Sequence, residues 1–155
     1  MITITKGNWY VCTKNVYNTK GKIELVQGTM CYSPEDGFIT CKGKDTPIQV
    51  RTHQKDNFRK WAVRDAHKGD FLTYNSESGE KWFLIFLREY VPYEGHIHYY
   101  ALYTPNNLFI RGTCFLSKED IMPSTTEEKE FLLQRLKESG YGWDEENLKR
   151  ISLNK

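Results

Sequence analysis

Residues 8–75 alternate between short apolar segments and turn-forming residues. The segments are rich in β-branched and aromatic side chains, and Gly, Pro, Asn and Asp separate them, which is typical of short antiparallel strands. The clearest turn is Pro-Glu-Asp-Gly at 34–37, where proline fixes φ and glycine accepts a positive φ. A second turn is predicted at 18–21. The predicted strands of this part are 9–13, 22–26, 29–33, 38–41 and 47–52.

The middle of the chain is predicted to lead from a loop into a central strand. Residues 54–60 are polar and favour a loop, and 63–66 have the length of one helical turn, ended by Gly69. A strand follows at 70–74. The segment 81–88 carries an unbroken apolar run, which is typical of a strand that is buried on both faces.

A β-hairpin is predicted around the connection 104–107, whose length fixes the register of the two strands. In that register one face is apolar, and we expect it to join the core. Its pairs are Tyr103 with Leu108, Ala101 with Ile110, and Tyr99 with Gly112. The opposite face has more polar chemistry, with Tyr100 across from Arg111 and His98 across from Thr113. Its members are His96, His98, Tyr100, Leu102, Phe109 and Arg111.

The C-terminal part changes to helical periodicity. Overlapping capping boxes at 124–127 and 125–128 open a helix predicted to run to about residue 139 and to stop at Gly140. Phe131, Leu132 and Leu136 give it an apolar stripe. Residues 144–151 fit either a short helix or a closing strand, and periodicity does not decide between the two.

These elements predict a mainly β (α+β) fold with one C-terminal amphipathic helix. Two arrangements remain open, a small barrel or two coupled curved antiparallel sheets, SH3-like in character. The length of 155 residues suits a single compact domain, 1–155, which buries roughly 70% of the surface of its unfolded chain. A seam near 53–60 divides it into sub-units 1–53 and 61–122, followed by the helical segment 124–155.

Composition narrows the class of protein. The 22 aromatic residues argue against a disordered chain, and net charge is only +2, with the basic excess in residues 1–70. The four cysteines lack a C-x-x-C pair, so we expect reduced thiols. The first residues do not resemble a secretory signal, and the longest apolar run, 82–87, is too short to span a bilayer. We therefore expect a cytoplasmic protein without membrane contact.

Two sequence elements resemble a family. The first is W-x-x-x-D-A-x-x-G-D-x-L at 61–72, and the second is the capped helix that ends in G-Y-x-W-D at 140–144. Together they resemble phage and prophage proteins of gut bacteria, a family without an established activity. The resemblance implies a small accessory protein that acts in the cytoplasm of an infected bacterium. It implies no functional residues.

The candidates for catalysis and metal binding are weak. His96 and His98 share one face of a strand, and Cys114 is expected across from His96, but zinc usually takes three or four protein ligands. No nucleophile elbow, P-loop or G-x-G-x-x-G motif is present. We therefore predict no metal, no cofactor and no catalytic residues, that is, a protein that is not an enzyme.

Anion binding has more support, because basic residues lie beside aromatic ones. Arginine holds phosphate as a bidentate fork, and aromatic faces stack nucleic-acid bases. The predicted function is a non-catalytic binding protein for a nucleotide or short nucleic acid, which sequesters a host-defence signal nucleotide. The ligand-binding candidates are Arg51, Arg59, Arg64, His96, His98, Tyr100 and Arg111.

Two other functions remain open. One is a protein-interaction module that inhibits a host protein through exposed aromatics of the hairpin and of Tyr141 and Trp143. The other is an enzyme of unknown class. A homo-oligomer is compatible with each of these functions.

Overall fold

The computed structural model of the chain describes residues 2–41, 44, 46–89, 96–116 and 120–153. The chain divides after Trp61 into two units, each with its own sheets and its own apolar cluster. All four cysteines are free thiols. No helix within the described ranges has the length and apolar character needed to cross a membrane.

The first unit consists of short antiparallel strands. Its three-stranded sheet has the order β4-β1-β7, and two-stranded ribbons pair β2 with β3 and β5 with β6. Buried Tyr10, Cys31 and Ile39 belong to its core. The strands are β1 (Trp9–Cys12), β2 (Val16–Tyr17), β3 (Ile23–Leu25), β4 (Met30–Tyr32), β5 (Phe38–Ile39), β6 (Ile48–Gln49) and β7 (Phe58–Lys60).

Both predicted turns of this unit are confirmed. Gly37 has φ +82° and Gly21 has φ +78°, the left-handed region that glycine adopts at low cost. The predicted loop at 54–60 is wrong, because these residues are the end of a helix and a strand. A 3₁₀ helix, Thr52–Asn57, leads into β7, which pairs along β1. A strand of three residues gives too little alternation to be recognised in the sequence.

The second unit holds an open five-stranded antiparallel sheet with the order β11-β10-β9-β8-β12. The central position of β9 agrees with its predicted burial on both faces. The mainly β fold with a C-terminal helix is confirmed. Two arrangements were predicted, and the described sheets do not form the first of them, a closed barrel. The sheet strands are β8 (Phe71–Asn75), β9 (Lys81–Glu89), β10 (His96–Thr104), β11 (Asn107–Phe115) and β12 (Ile121–Pro123).

Helix α1 (Thr126–Glu138) packs on one face of this sheet. Of the two overlapping capping boxes, the structure uses the one at 125–128: Glu128 N–H donates to Thr125 Oγ1 at 3.1 Å, and Thr125 N–H donates to Glu128 Oε1 at 2.9 Å. Gly140, at φ +88°, ends the helix as predicted. Buried Leu132 and Leu136 contact Ile85 and Ala101 of the sheet in the apolar cluster.

The chain after the helix forms a two-stranded ribbon, β13 (Tyr141–Asp144) and β14 (Lys149–Ser152). Of the two alternatives left open for residues 144–151, the strand is therefore the correct one. Trp143 lies opposite Arg150 in this ribbon. The ribbon places the basic side chain of Arg150 on β14 against β10 of the five-stranded sheet, where it donates to Tyr100 O.

Candidate anion-binding site

An irregularity in β10 and β11 shapes the candidate site. The predicted register holds, with Ala101 opposite Ile110 and Tyr99 opposite Gly112. The pairing of β10 with β9, however, shifts on both sides of Tyr99. Arg111 adopts φ +63°, which is unusual for a residue other than glycine. The register shift leaves Tyr100 as an extra residue of β10 between Tyr99 and Ala101. An extra residue in one strand forms a β-bulge, which changes the direction of side chains and often lies beside a functional site.

The bulge divides the predicted polar face. Leu102 and Phe109 oppose each other on one side, and Leu102 is buried rather than exposed. Tyr100 instead joins the helix-covered side, where it packs with the apolar cluster. The prediction of one continuous polar face was wrong, because strict alternation holds only for regular strands.

The expected neighbour of His96 was also wrong. Phe115 lies opposite His96, and Cys114 lies opposite Ile97. Burial raises the pKa of the Cys114 thiol to about 11, so this side chain stays a neutral thiol. Within the described ranges, no three side chains of His, Cys, Asp or Glu form a group that could hold a metal ion.

Tyr100 and Arg111 line a cavity of about 410 Å³ in the second unit, which we call the basic pocket. Five of its lining residues are cationic, and no carboxylate of the described chain lines it. A volume of this size is within the range of small-ligand sites. The lining residues are Lys68, Leu87, Arg88, Tyr100, Arg111, Lys149 and Arg150.

A tight loop before β8 carries Lys68. Gly69 N–H donates to Phe86 O at 2.8 Å, and Phe86 N–H donates to Asp70 O at 2.8 Å, which fixes the loop to β9. Gly69 has φ +92°, and a Cβ at this position would lie only 2.6 Å from Leu148 Cδ2. The backbone conformation therefore favours glycine here, and an added Cβ would also force the end of the Leu148 side chain to move.

The C-terminal ribbon places Lys149 and Arg150 beside the sheet. Arg150 Nη1 donates to Tyr100 O at 3.1 Å, and its guanidinium lies 5.2 Å from the centre of the Tyr141 ring. The Trp143 ring contacts Tyr100, with 4.9 Å between ring centroids. These contacts hold one wall of the basic pocket in place.

The two sequence elements that carry the family resemblance meet at this wall. A Cβ at Gly69 of the first element would lie 3.6 Å from Trp143 of the second. Asp65 of the first element accepts a hydrogen bond from Ala62 N–H at 2.9 Å, and Asp144 of the second accepts from Asn147 N–H at 3.2 Å. Gly69 and Trp143, one from each element, therefore lie beside the basic pocket, where Trp143 contacts its lining residue Tyr100.

The cations of the basic pocket form no close ion pair among the described residues, although Lys149 lies opposite Asp144 in the C-terminal ribbon. Hydrogen bonds from Asn147, together with the charge of Lys149, lower the pKa of that carboxyl. None of the five makes an ion pair with a carboxylate of the described residues. The ion pairs among the described residues of this unit lie outside the pocket, as between Lys81 and Glu128 at 3.1 Å. Like charges gathered in a concave site produce a positive potential that attracts anions.

The structure separates the sequence-predicted candidates. Tyr100 and Arg111 line the basic pocket, whereas Arg51 lines a different cavity of about 700 Å³ in the first unit. Arg59 lies on β7, and Arg64 is exposed in the 3₁₀ turn Val63–Asp65. The two histidines lie on β10: His98 Nδ1 is 3.0 Å from Thr113 Oγ1, and the His96 ring contacts Phe115 edge-on, with 5.2 Å between centroids.

Sequence reasoning missed four cations of the pocket. Two of them could have been suspected from the sequence. Lys68 directly precedes the turn glycine of the first motif, and Arg88 directly follows the apolar run of β9, so both lie at the ends of predicted elements. Lys149 and Arg150 lie in the segment whose structure the sequence left open. Only the pairing of β13 with β14 places them at the sheet.

Comparison with known proteins finds no matching family model, no matching curated protein and no matching solved structure. The function must therefore be argued from the chemistry of the site.

Proposed function

We propose that the chain is a non-catalytic binding protein whose basic pocket holds the phosphate groups of a nucleotide or of a short nucleic acid. The observation that carries this proposal is the convergence of five cationic side chains on one cavity without a lining carboxylate from the described residues. A ligand with more than one negative charge would relieve the repulsion among these cations.

The kinds of cation favour phosphate. Arginine presents paired N–H donors that match phosphate oxygens, and lysine adds point charges. Arg88 and Arg111 are exposed and make no ion pair with a carboxylate of the described residues, so a ligand need not displace such a pair to reach them. Tyr100 and Leu87 supply apolar surface beside them.

The resemblance to phage proteins gives this activity a biological context. A small protein that binds a nucleotide without converting it would lower the free concentration of a host-defence signal nucleotide. Sequestration of this kind requires affinity and copy number but no catalytic group.

Isothermal titration calorimetry with ADP tests the proposal, with adenosine as the ligand that lacks phosphate. We expect ADP to bind and adenosine to bind at least tenfold more weakly. The double variant Arg88→Gln, Arg111→Gln should lose at least tenfold in ADP affinity, because a hydrogen bond to a charged group contributes about 1.5–3 kcal/mol. Arg64→Gln, an exposed arginine outside the pocket, is the matched control and should bind as the wild type does.

Two results would contradict the proposal. The first is that the folded wild type binds neither ADP nor an oligonucleotide. The second is equal ADP affinity in the wild type and the double variant, because the binding site would then lie elsewhere.

A further inference from the structure

The face of the sheet that holds the basic pocket continues along β9, β10 and β11. Arg88 lines the pocket and lies opposite His98 on β10, and His98 lies opposite Thr113 on β11. Directly opposed residues of neighbouring strands share one face of a sheet. The row Arg88, His98 and Thr113 therefore extends the pocket with polar side chains.

The next row on this face ends in an exposed aromatic ring. His96 and Phe115 are paired, and each lies two residues beyond the row of His98 and Thr113, so the side chains return to the same face. Phe115 is 67% exposed, the largest exposed fraction among the large apolar side chains of the described residues. The His96 ring contacts it at 63° between planes.

The distance from the pocket to this ring sets the size of a ligand that uses both. Tyr100 and His96 are four residues apart on β10, which corresponds to about 14 Å along the strand. Stacked nucleotides of one strand rise about 3.4 Å each, so about four of them cover this length. A mononucleotide that is held by its phosphates in the pocket does not extend so far.

The combination of groups selects the ligand. Proteins that bind single strands join a positively charged groove for the backbone to aromatic side chains on which bases stack. The pocket supplies the charge, and Phe115 supplies an aromatic face that the described fold leaves open to solvent. A protein partner would instead be expected to bury a continuous apolar patch, whereas the described row between these two parts, Arg88, His98 and Thr113, is polar.

We infer that the ligand is a single-stranded nucleic acid of at least four nucleotides, whose phosphates occupy the basic pocket and whose bases reach the ring of Phe115. This inference rests on the proposed function and specifies its ligand. On its way the strand passes the exposed side chains of Arg88 and Thr113.

Fluorescence anisotropy with 5′-fluorescein-labelled oligo(dT) and oligo(U) of two, four and eight nucleotides tests the inference. We expect affinity to rise at least tenfold between two and eight nucleotides for at least one of the two polymers. Phe115→Leu should lower the affinity for that eight-nucleotide probe by about 5- to 100-fold, because stacking of a base on an aromatic side chain contributes about 1–3 kcal/mol. The same variant should bind ADP as the wild type does.

The chain offers a matched control on the same strand. Phe109 is 44% exposed, but it lies opposite buried Leu102 and so faces away from the pocket side. Phe109→Leu should leave oligonucleotide affinity unchanged, and Phe115→Trp should retain it because the aromatic face remains.

The outcomes separate the two proposals. If ADP binds but oligonucleotide affinity is independent of length, or if Phe115→Leu binds the eight-nucleotide probe as the wild type does, the inference is overturned and the proposed function stands. If neither ADP nor any oligonucleotide binds to the folded protein, the proposed function itself fails.

Discussion

Arg111 is held in a left-handed backbone conformation, φ +63°, at the edge of the basic pocket. Residues other than glycine adopt this region at a cost of about 1–2 kcal/mol, and such strain concentrates at functional sites. The charge of the Arg111 side chain in the pocket would offset this conformational cost. The backbone alone would prefer glycine.

The substitution Arg111→Gly should therefore separate stability from binding. We expect the free energy of unfolding to rise by about 0.5–1 kcal/mol and ADP affinity to fall at least tenfold. Urea denaturation and calorimetry measure the two effects. Arg111→Gln is the matched variant, since it loses the charge and keeps the strain; a stability gain as large as that of glycine would contradict this account.

Gly69 follows Lys68 of the basic pocket and lies close to Leu148 and Trp143 of the C-terminal segment. We expect Gly69→Ala to lower the free energy of unfolding by about 1–2 kcal/mol, mainly through left-handed strain, because the end of the Leu148 side chain, 2.6 Å from the added Cβ, can move away. Gly79→Ala is the control, with φ +85° and no atom within 4 Å of its added Cβ. In urea denaturation the control should lose about as much or slightly less, and a loss at Gly69 that is smaller than at Gly79 would contradict this account.

At the scale of elements, the capping box of α1 joins the helix to the sheet. Thr73 Oγ1 of β8 donates to Glu128 Oε1 at 3.0 Å, and Lys81 of β9 donates to Glu128 Oε2 at 3.1 Å. Burial raises the pKa of Glu128. Hydrogen bonds from Thr125, Lys81 and Thr73, together with the charge of Lys81, lower the pKa by more than burial raises it, so the pKa lies below 4.5. The ionised carboxylate therefore stabilises the folded state.

This lowered pKa predicts how stability depends on pH. The contribution of Glu128 is present above the unfolded value near 4.5 and is lost as pH falls through the lower folded value. Wild type should therefore lose about 1 kcal/mol more than Glu128→Gln between pH 6 and pH 3 in urea denaturation. Glu127→Gln, an exposed neighbour in the first turn, should follow the wild type; identical pH profiles for all three would refute the assignment.

Elements whose signals are local could be predicted from the sequence. The turn at 34–37, the capping box at 125–128 and the register of β10 with β11 all follow from short-range chemistry, and the structure confirms them. The faces of the hairpin could not be predicted, because the bulge at Tyr100 depends on pairing with β9. Alternation in one strand contains no information about its neighbour.

At the scale of the whole molecule, the net charge of +2 gives no indication that five cationic side chains line one pocket. The basic pocket gathers cations from positions 68, 88, 111, 149 and 150, which are distant in sequence. Sequence reasoning found the cluster of Arg51, Arg59 and Arg64 because those residues are close along the chain, but they do not line the basic pocket. Only the sheet order and the C-terminal ribbon bring its five cations together.

Salt dependence of oligonucleotide binding tests the central claim, direct neutralisation of phosphates by the pocket cations. For single strands, the slope of log K against log [salt] is about −0.7 per phosphate contact. Anisotropy titrations of the eight-nucleotide probe over 50–300 mM salt should give a slope about 1.4 less negative for Arg88→Gln, Arg111→Gln than for wild type, with Arg64→Gln unchanged. Equal slopes for the wild type and the double variant would contradict the claim.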